Sequence, residues 1–248
     1  MTRSIFSSVL VCGLIFGAFA AASASAEAPA YKCTSGGSQF KDEHCREASA
    51  SGPYGAELLP ESETAITVTN AQTAEGTSAA AVSKLLGTLS GVITEIQCTG
   101  LSGEGSLTNA AKSATGTFTL NSSGCSVTKP SGKGCVINGN ELVTNLLKAT
   151  TGGQTANKLK LTSNSGEALT SITLEKCSIG ALNNTYPVTG SFIADTNGAT
   201  ITTTHAGLTS QATLKLGGVK MGMEGALTLE AGEDGISFGV EEEEEGCL

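Results

Sequence analysis

The sequence contains no tryptophan, and aromatic residues make up only 4% of its 248 residues. A sugar cleft usually presents aromatic side chains as flat platforms for the sugar rings. This scarcity argues against a glycosidase, whose paired carboxylates work inside such a cleft, and less strongly against a lectin.

Positive charge is also scarce. The chain carries 14 Lys and Arg residues against 23 Asp and Glu residues, which gives a formal net charge of -9 at pH 7. Nucleic-acid binding depends on a basic face that neutralises phosphates, so no nucleic-acid partner is expected. An acidic surface instead suits a soluble exported protein that resists association.

The sequence has few residues of the kinds that catalyse reactions or bind metals. Its two histidines, His44 and His205, are the available bases for a Ser, Cys or Thr nucleophile, but no GxSxG motif accompanies them. No CxxC zinc motif occurs, and the turns DTNGAT and GEDG lack the spacing of a calcium loop. We therefore predict no catalytic residue, no cofactor and no metal site.

The N-terminus has the three parts of a secretory signal peptide. Arg3 is followed by the uncharged apolar run IFSSVLVCGLIFGAFA and then by the small residues AASASA. The apolar run is too short for a comfortable membrane span, and Cys12 lies inside it, so neither a transmembrane anchor nor a lipid anchor is expected. We predict cleavage after Ala26 and a secreted or cell-surface protein.

Seven cysteines remain after that cleavage, and in an exported protein they are expected to form disulfides. They are Cys33, Cys45, Cys98, Cys125, Cys135, Cys177 and Cys247. The number is odd, so at least one has no partner within the chain. Cys247 follows the acidic run Glu241–Glu245 near the C-terminus and is the candidate for a disulfide-linked dimer.

Short strand-like runs dominate from residue 62 onward. Most alternate apolar with Thr or charged residues, and turn sequences such as SGEGS and DTNG separate them. The runs are TAITVTN, GVITEIQC, TGTFTLNS, NKLKLTS, TSITLEKC, GATITTTHA, ATLKLGG and GALTLEAG. Their number and spacing predict an all-β, antiparallel sandwich or barrel. Only SAAAVSKLLGTL has helical composition, and a strand there is equally compatible with the pattern.

Composition divides the chain into four parts. We predict a signal peptide over residues 1–26, a small disulfide-closed N-terminal strap over 27–60, the β domain over 61–239 and an acidic, disordered tail over 240–248. The sequences around Cys98 and Cys177, VITEIQCTG and SITLEKCSIG, are similar. Neighbouring strands with equivalent cysteines would explain this similarity, and chance explains one of this length equally well.

The stretch GCSVTKPSGKGC, residues 124–135, combines glycines, lysines and two cysteines. It is not a phosphate-binding loop, because Gly134 stands where that motif has Ser or Thr, Val127 stands where it has Gly, and no helix follows. We interpret it as a hairpin closed by a Cys125–Cys135 disulfide. Its lysines, Lys129 and Lys133, are then candidates for weak contact with an anionic ligand.

The disulfide pairing predicted on this basis has three bonds. They join Cys33 to Cys45, Cys125 to Cys135, and Cys98 to Cys177. The alternative joins Cys98 to Cys125.

Four segments together resemble a family of exported, cysteine-paired proteins of soil actinobacteria. They are YKCTSGGSQFKDEHC, GVITEIQCTGLSGEGSLTN, SGCSVTKPSGKGCVINGNELVTNLLKAT and SITLEKCSI. The resemblance covers roughly residues 31–230 and implies export and a disulfide-linked β fold. It implies no activity, so it assigns no catalytic residue.

These observations predict an exported structural or binding protein of the cell envelope or extracellular space, without catalytic activity and with an unknown partner there. The alternative is a secreted hydrolase that acts on envelope or environmental polymers.

Overall fold

The computed structural model describes residues 28–71, 83–110, 112–151, 157–205 and 213–239. The predicted signal peptide and the acidic tail with Cys247 lie outside these residues. Within them the regular secondary structure is almost entirely β-strand, which confirms the predicted fold class.

The strands of the described residues are numbered in chain order. They are β1 Ala30–Phe40, β2 Tyr54–Leu58, β3 Thr64–Asn70, β4 Ser83–Leu89, β5 Val92–Cys98, β6 Gly100–Ala110, β7 Ser113–Ser123, β8 Ser126–Lys129, β9 Val136–Ile137, β10 Glu141–Val143, β11 Leu147–Thr150, β12 Lys158–Ser163, β13 Thr170–Glu175, β14 Thr185–Thr189, β15 Ser191–Asn197, β16 Thr200–His205, β17 Lys215–Leu216, β18 Val219–Lys220, β19 Gly222–Ala231 and β20 Asp234–Phe238. Short 3-10 turns lie at Asn138–Asn140 and Gly180–Leu182.

Alternating side chains explain most of these strands. In β12, Leu159 and Leu161 are buried, while the alternate residues Lys158 and Lys160 are half-buried. Each of the eight predicted runs contains a strand, and TAITVTN coincides with β3. The segment of helical composition forms β4 from Ser83 onward, so the strand interpretation holds for its described part.

Eight of the described strands close into a barrel. Their order around the ring is β3, β6, β7, β11, β12, β15, β16 and β19, and pairing of β19 with both β16 and β3 completes it. Every neighbouring pair is antiparallel. The ring follows chain order, so this is an up-and-down barrel, and its closure leaves no unpaired strand edge in the ring.

Successive connections of an antiparallel up-and-down barrel alternate between its two ends. In this barrel the connections at one end are short and those at the other end are long. At the short-turn end, β15 and β16 are joined by Gly198–Ala199, with Asn197 opposite Thr200. Gly198 has φ of 54°, as a two-residue hairpin turn with glycine in its first position requires. The sequence DTNG, residues 195–198, predicts a turn here, but its first three residues continue β15 and only Gly198 lies in the turn.

The four long connections form a cap over the other end, which we call the capped end. They contain β4–β5, β8–β10, β13–β14 and β17–β18, in that order. The first and second are joined by the Cys98–Cys125 disulfide, and the second and third by Cys135–Cys177. The third and fourth are joined by pairing of β14 with β17, and β17 and β18 pack against β4. The cap is therefore a circle of four mutually linked insertions.

This pairing corrects two of the predicted disulfides. Cys33 is bonded to Cys45, the pair that the sequence predicts, but Cys125 is bonded to Cys98 and Cys135 to Cys177. The reason is that the strands on either side of the Pro130 loop do not pair with each other. Instead β8 pairs with β5 and β9 pairs with β13. Cys125, next to β8, therefore lies beside Cys98 of β5, and Cys135, next to β9, lies beside Cys177, which follows β13.

The similarity between the sequences around Cys98 and Cys177 does not reflect neighbouring strands. Their strands, β5 and β13, belong to different sheets.

The N-terminal segment lies across the short-turn end. β1 pairs with β20 and with β2, which extends the sheet beyond β19. The buried Asn109 amide binds this segment: its Oδ1 accepts from Ala30 N at 2.8 Å, and its Nδ2 donates to the carbonyls of Ala30 and Leu59 at 2.9 and 2.8 Å. Thr151 Oγ1 donates to the Ala28 carbonyl at 2.6 Å. The segment is thus fixed to the barrel by fully paired polar groups.

Candidate ligand-binding cavity

The barrel encloses a cavity of about 100 Å³ in its capped half. Strands that run toward the cap contribute their last residues to it, such as Leu120 of β7 and Leu161 of β12, and strands that leave the cap contribute their first, such as Leu147 of β11 and Phe192 of β15. Each of these side chains is buried and occupies an inward position of the alternating pattern.

The cap supplies the roof of the cavity. Thr170 of β13, Val188 of β14, Leu169 and Leu214 come from the five-stranded sheet or the residues that lead into it. Cys98 also borders the cavity, so the Cys98–Cys125 disulfide is part of the wall. The site therefore depends on barrel and cap together.

The cavity lining is predominantly apolar. No residue that lines it in the described part of the chain carries an ionisable group, since Cys98 is held in a disulfide. A charged ligand would lose its hydration there without gaining a compensating partner.

Three threonines stand on this wall, and their hydroxyls differ. Thr144 Oγ1 accepts from Leu120 N at 2.9 Å, and Thr170 Oγ1 donates to the Val143 carbonyl at 2.7 Å. Thr203 Oγ1 is buried and has no hydrogen-bond partner in the described residues. Of these three hydroxyls, only that of Thr203 makes no hydrogen bond in the described residues.

The two lysines singled out from the sequence lie elsewhere: Lys129 ends β8, and Lys133 lies on the loop between β8 and β9. Lys129 Nζ donates to Glu95 Oε2 at 2.7 Å, and Glu95 also accepts from Thr128 Oγ1 at 2.7 Å and from Gln97 Nε2 at 2.8 Å. Lys129 first, then Thr128 and Gln97, hold the pKa of the Glu95 carboxyl at about 2. Lys133 is exposed, and its carbonyl accepts from Ser178 N at 2.8 Å. Neither lysine borders the cavity.

The two histidines stand at opposite ends of the barrel. His44 is buried at the short-turn end, with Nε2 3.6 Å from Glu230 Oε1, and its carbonyl accepts from Ala199 N at 2.8 Å. His205 ends β16 at the capped end, opposite Met223. The fold does not bring them together.

Asp42 organises the loop that holds His44. It accepts from Arg46 Nε at 2.9 Å and from the backbone N–H groups of His44, Arg46 and Glu47. Burial raises the pKa of the Asp42 carboxyl, but Arg46 and the backbone donors outweigh burial and hold that pKa below its usual range. This carboxylate stabilises a turn.

Two further searches of the described residues bear on the site. No group of three or more His, Cys, Asp or Glu side chains is placed to hold a metal ion. None of the helices described here has the length and apolar character needed to cross a membrane.

The sequence did not reveal this cavity. Its signal was present in the inward positions of the strands, where the alternation of TITTTH places Ile201 and Thr203 on the same face. Comparisons of the chain with protein-family models, with curated proteins and with solved structures found no match.

Proposed function

We propose that this chain is an exported binding protein that holds a small, uncharged and mainly apolar molecule inside its capped barrel. The observation that carries the proposal is the cavity of about 100 Å³ beneath the cap. Export to the cell envelope or extracellular space is part of the proposal. It is supported by the N-terminal apolar run and by the disulfides, which form in oxidising compartments.

Packing considerations support binding. Eight-stranded barrels are just wide enough either to be filled by side chains or to hold one small ligand. Protein interiors contain few voids larger than a water molecule. An apolar cavity of about 150 Å³ lined by Leu, Ile and Phe binds benzene. The cavity here is smaller, about 100 Å³, so it suits at most a molecule of the size of one small ring, or the apolar end of a longer one.

The alternative of a secreted hydrolase fits the described residues less well. Hydrolysis needs an acid, a base or a nucleophile beside the substrate. The cavity wall presents no acid or base that could activate its Ser and Thr hydroxyls, and Asp42 and Glu95 lie outside the cavity, where several donors engage each of them. The geometry therefore favours binding over turnover.

The proposal is tested with toluene as the probe and the full chain with intact disulfides. Toluene is expected to bind saturably in calorimetry and to raise the melting temperature as its concentration increases. Leu161→Trp fills the cavity and should abolish both effects. Lys160→Trp adds the same side chain at the adjacent outward position and should retain them.

Circular dichroism and the melting temperature without toluene verify that both variants are folded. Absence of saturable binding to the unsubstituted protein, or binding that survives Leu161→Trp, would refute the proposed function.

A further inference from the structure

Thr203 presents an unusual group on the cavity wall. It lies on β16, and both Thr203 and Ile201 border the cavity. The residue is only 7% exposed, and its hydroxyl has no partner in the described residues. Buried hydroxyls are normally hydrogen-bonded, so one that is not requires an explanation.

The two other wall threonines show that the fold is able to satisfy such groups. Thr144 and Thr170 bond to the backbone at 2.9 and 2.7 Å. Thr203 makes no such bond in the described residues, and the cavity lining is mainly apolar and includes no charge. The Thr203 hydroxyl therefore lacks one neutral hydrogen-bonding partner, in a space that is mainly apolar.

We propose that Thr203 is the polar anchor of the ligand, and that the ligand is a small neutral molecule with an apolar body and one hydrogen-bonding oxygen, of the alcohol or phenol class. This inference rests on the proposed function and specifies its ligand. The Thr203 hydroxyl both donates and accepts, so it pairs with a ligand hydroxyl in either direction. The rest of the ligand is buried among Leu, Ile and Phe side chains.

Toluene and phenol form a matched pair of probes, because they have the same number of heavy atoms and differ in a methyl against a hydroxyl group. The ratio of their affinities is measured by calorimetry for the unsubstituted protein and for three variants. Thr203→Val removes the hydroxyl with little change of shape, and Thr203→Ser retains it. Thr202→Val makes the same change at the neighbouring residue, which points outward.

We expect Thr203→Val to lower the phenol-to-toluene affinity ratio about fivefold to tenfold, the size of one hydrogen bond. Thr203→Ser and Thr202→Val should leave the ratio within about twofold. Comparing ratios cancels any effect of a substitution on the apolar part of the cavity.

The outcomes separate the two proposals. An unchanged ratio in Thr203→Val, with toluene still bound, overturns the anchor while the binding function stands. Failure of both probes to bind the unsubstituted protein overturns both proposals. A drop in the ratio for Thr202→Val equal to that for Thr203→Val also contradicts the anchor, because the outward residue has no contact with the cavity.

Discussion

Thr203 and Thr170 both place a side chain on the cavity wall, but their hydroxyls have opposite consequences for stability. The Thr170 hydroxyl donates to the Val143 carbonyl, whereas the buried Thr203 hydroxyl has no described partner. Removing one member of a buried hydrogen bond leaves the other unsatisfied, while removing an unpaired polar group eliminates a desolvation cost.

We therefore predict opposite effects of the same substitution. Thr170→Val should lower the free energy of unfolding by about 1–3 kcal/mol, and Thr203→Val should leave it unchanged or raise it by up to about 1 kcal/mol. Urea unfolding without added ligand measures both. Equal destabilisation by the two substitutions would show that Thr203 is also paired in the folded protein.

Glu95 gives a pH-dependent prediction. Its carboxyl has a pKa of about 2 instead of its ordinary 4.5, because Lys129, Thr128 and Gln97 donate to the charged form. A depressed carboxyl pKa contributes stability above the unfolded value, and that stability is lost as pH falls from about 4.5 to about 2. The effect is discounted because the Lys129 side chain is 56% exposed and screened by solvent.

The test compares Glu95→Gln with Glu141→Gln, which makes the same change at an exposed residue. Glu95→Gln should lower the free energy of unfolding by about 1 kcal/mol or less at neutral pH, with the difference shrinking as the pH approaches 2. Glu141→Gln should change little across this range. A difference for Glu95→Gln that grows toward acid pH would contradict the assignment.

At the scale of elements, the cap depends on its cross-links. The Cys135–Cys177 disulfide joins the second and third insertions across 42 residues. In the chain-entropy model such a bond contributes about 4 kcal/mol, and measured values are typically 2–4 kcal/mol. The Cys33–Cys45 disulfide spans 12 residues at the opposite end of the barrel and provides a matched comparison.

Replacing Cys135 and Cys177 by serine should accelerate amide hydrogen exchange in β13 and β14 and leave β6 and β7 protected. Replacing Cys33 and Cys45 by serine should accelerate exchange in β1 and β2 instead. Exchange followed by mass spectrometry distinguishes the two patterns. A uniform loss of protection in both variants would mean that cap and barrel unfold as one unit.

The turn between β15 and β16 shows how one residue joins two elements. A Cβ on Gly198 would stand 2.3 Å from the His44 carbonyl oxygen, in addition to the cost of its φ of 54°. Gly232 has φ of 70°, and a Cβ there would meet nothing within 4 Å. We predict that Gly232→Ala costs about 1 kcal/mol from backbone strain alone.

Gly198→Ala should cost clearly more, about 2–4 kcal/mol, because the added methyl group also displaces the His44 loop. Thermal unfolding of the two variants provides the comparison. Equal costs would mean that the N-terminal segment yields without loss of stability.

Local patterns explain which elements were predictable. Alternation of apolar and polar residues is a property of adjacent positions, so it identifies strands such as β3 and β12 directly. Disulfide pairing depends on which strands lie side by side. The sequence suggested a hairpin around Pro130, but β8 and β9 pair with β5 and β13, and the cysteines follow those pairings.

At the scale of the whole molecule, the sequence favoured a sandwich or a barrel without distinguishing them. Closure requires β19 to pair with both β3 and β16. These two partners of β19 lie far apart from each other in the chain. The cavity depends on the summed volumes of side chains from many strands and from the cap. Neither quantity is encoded in a short motif, so the sequence predicted no site there.

The acidic charge and the closed ring both oppose self-association. A closed barrel has no free edge in its ring for association with other chains, and a net charge of -9 opposes self-association. The capped end is then the part of the molecule in which ligand binding and stability are coupled.

Methyl-group NMR during a toluene titration tests the central claim most directly, because it reports both binding and location. We predict saturable, one-to-one shifts of the methyl signals of Leu147, Leu161, Val188 and Ile201, which border the cavity. The methyl signals of Ile93 and Val143, which are 62% and 56% exposed, should not move. Shifts confined to the exposed methyl groups, or no saturable shift of the cavity methyl groups, would contradict the account.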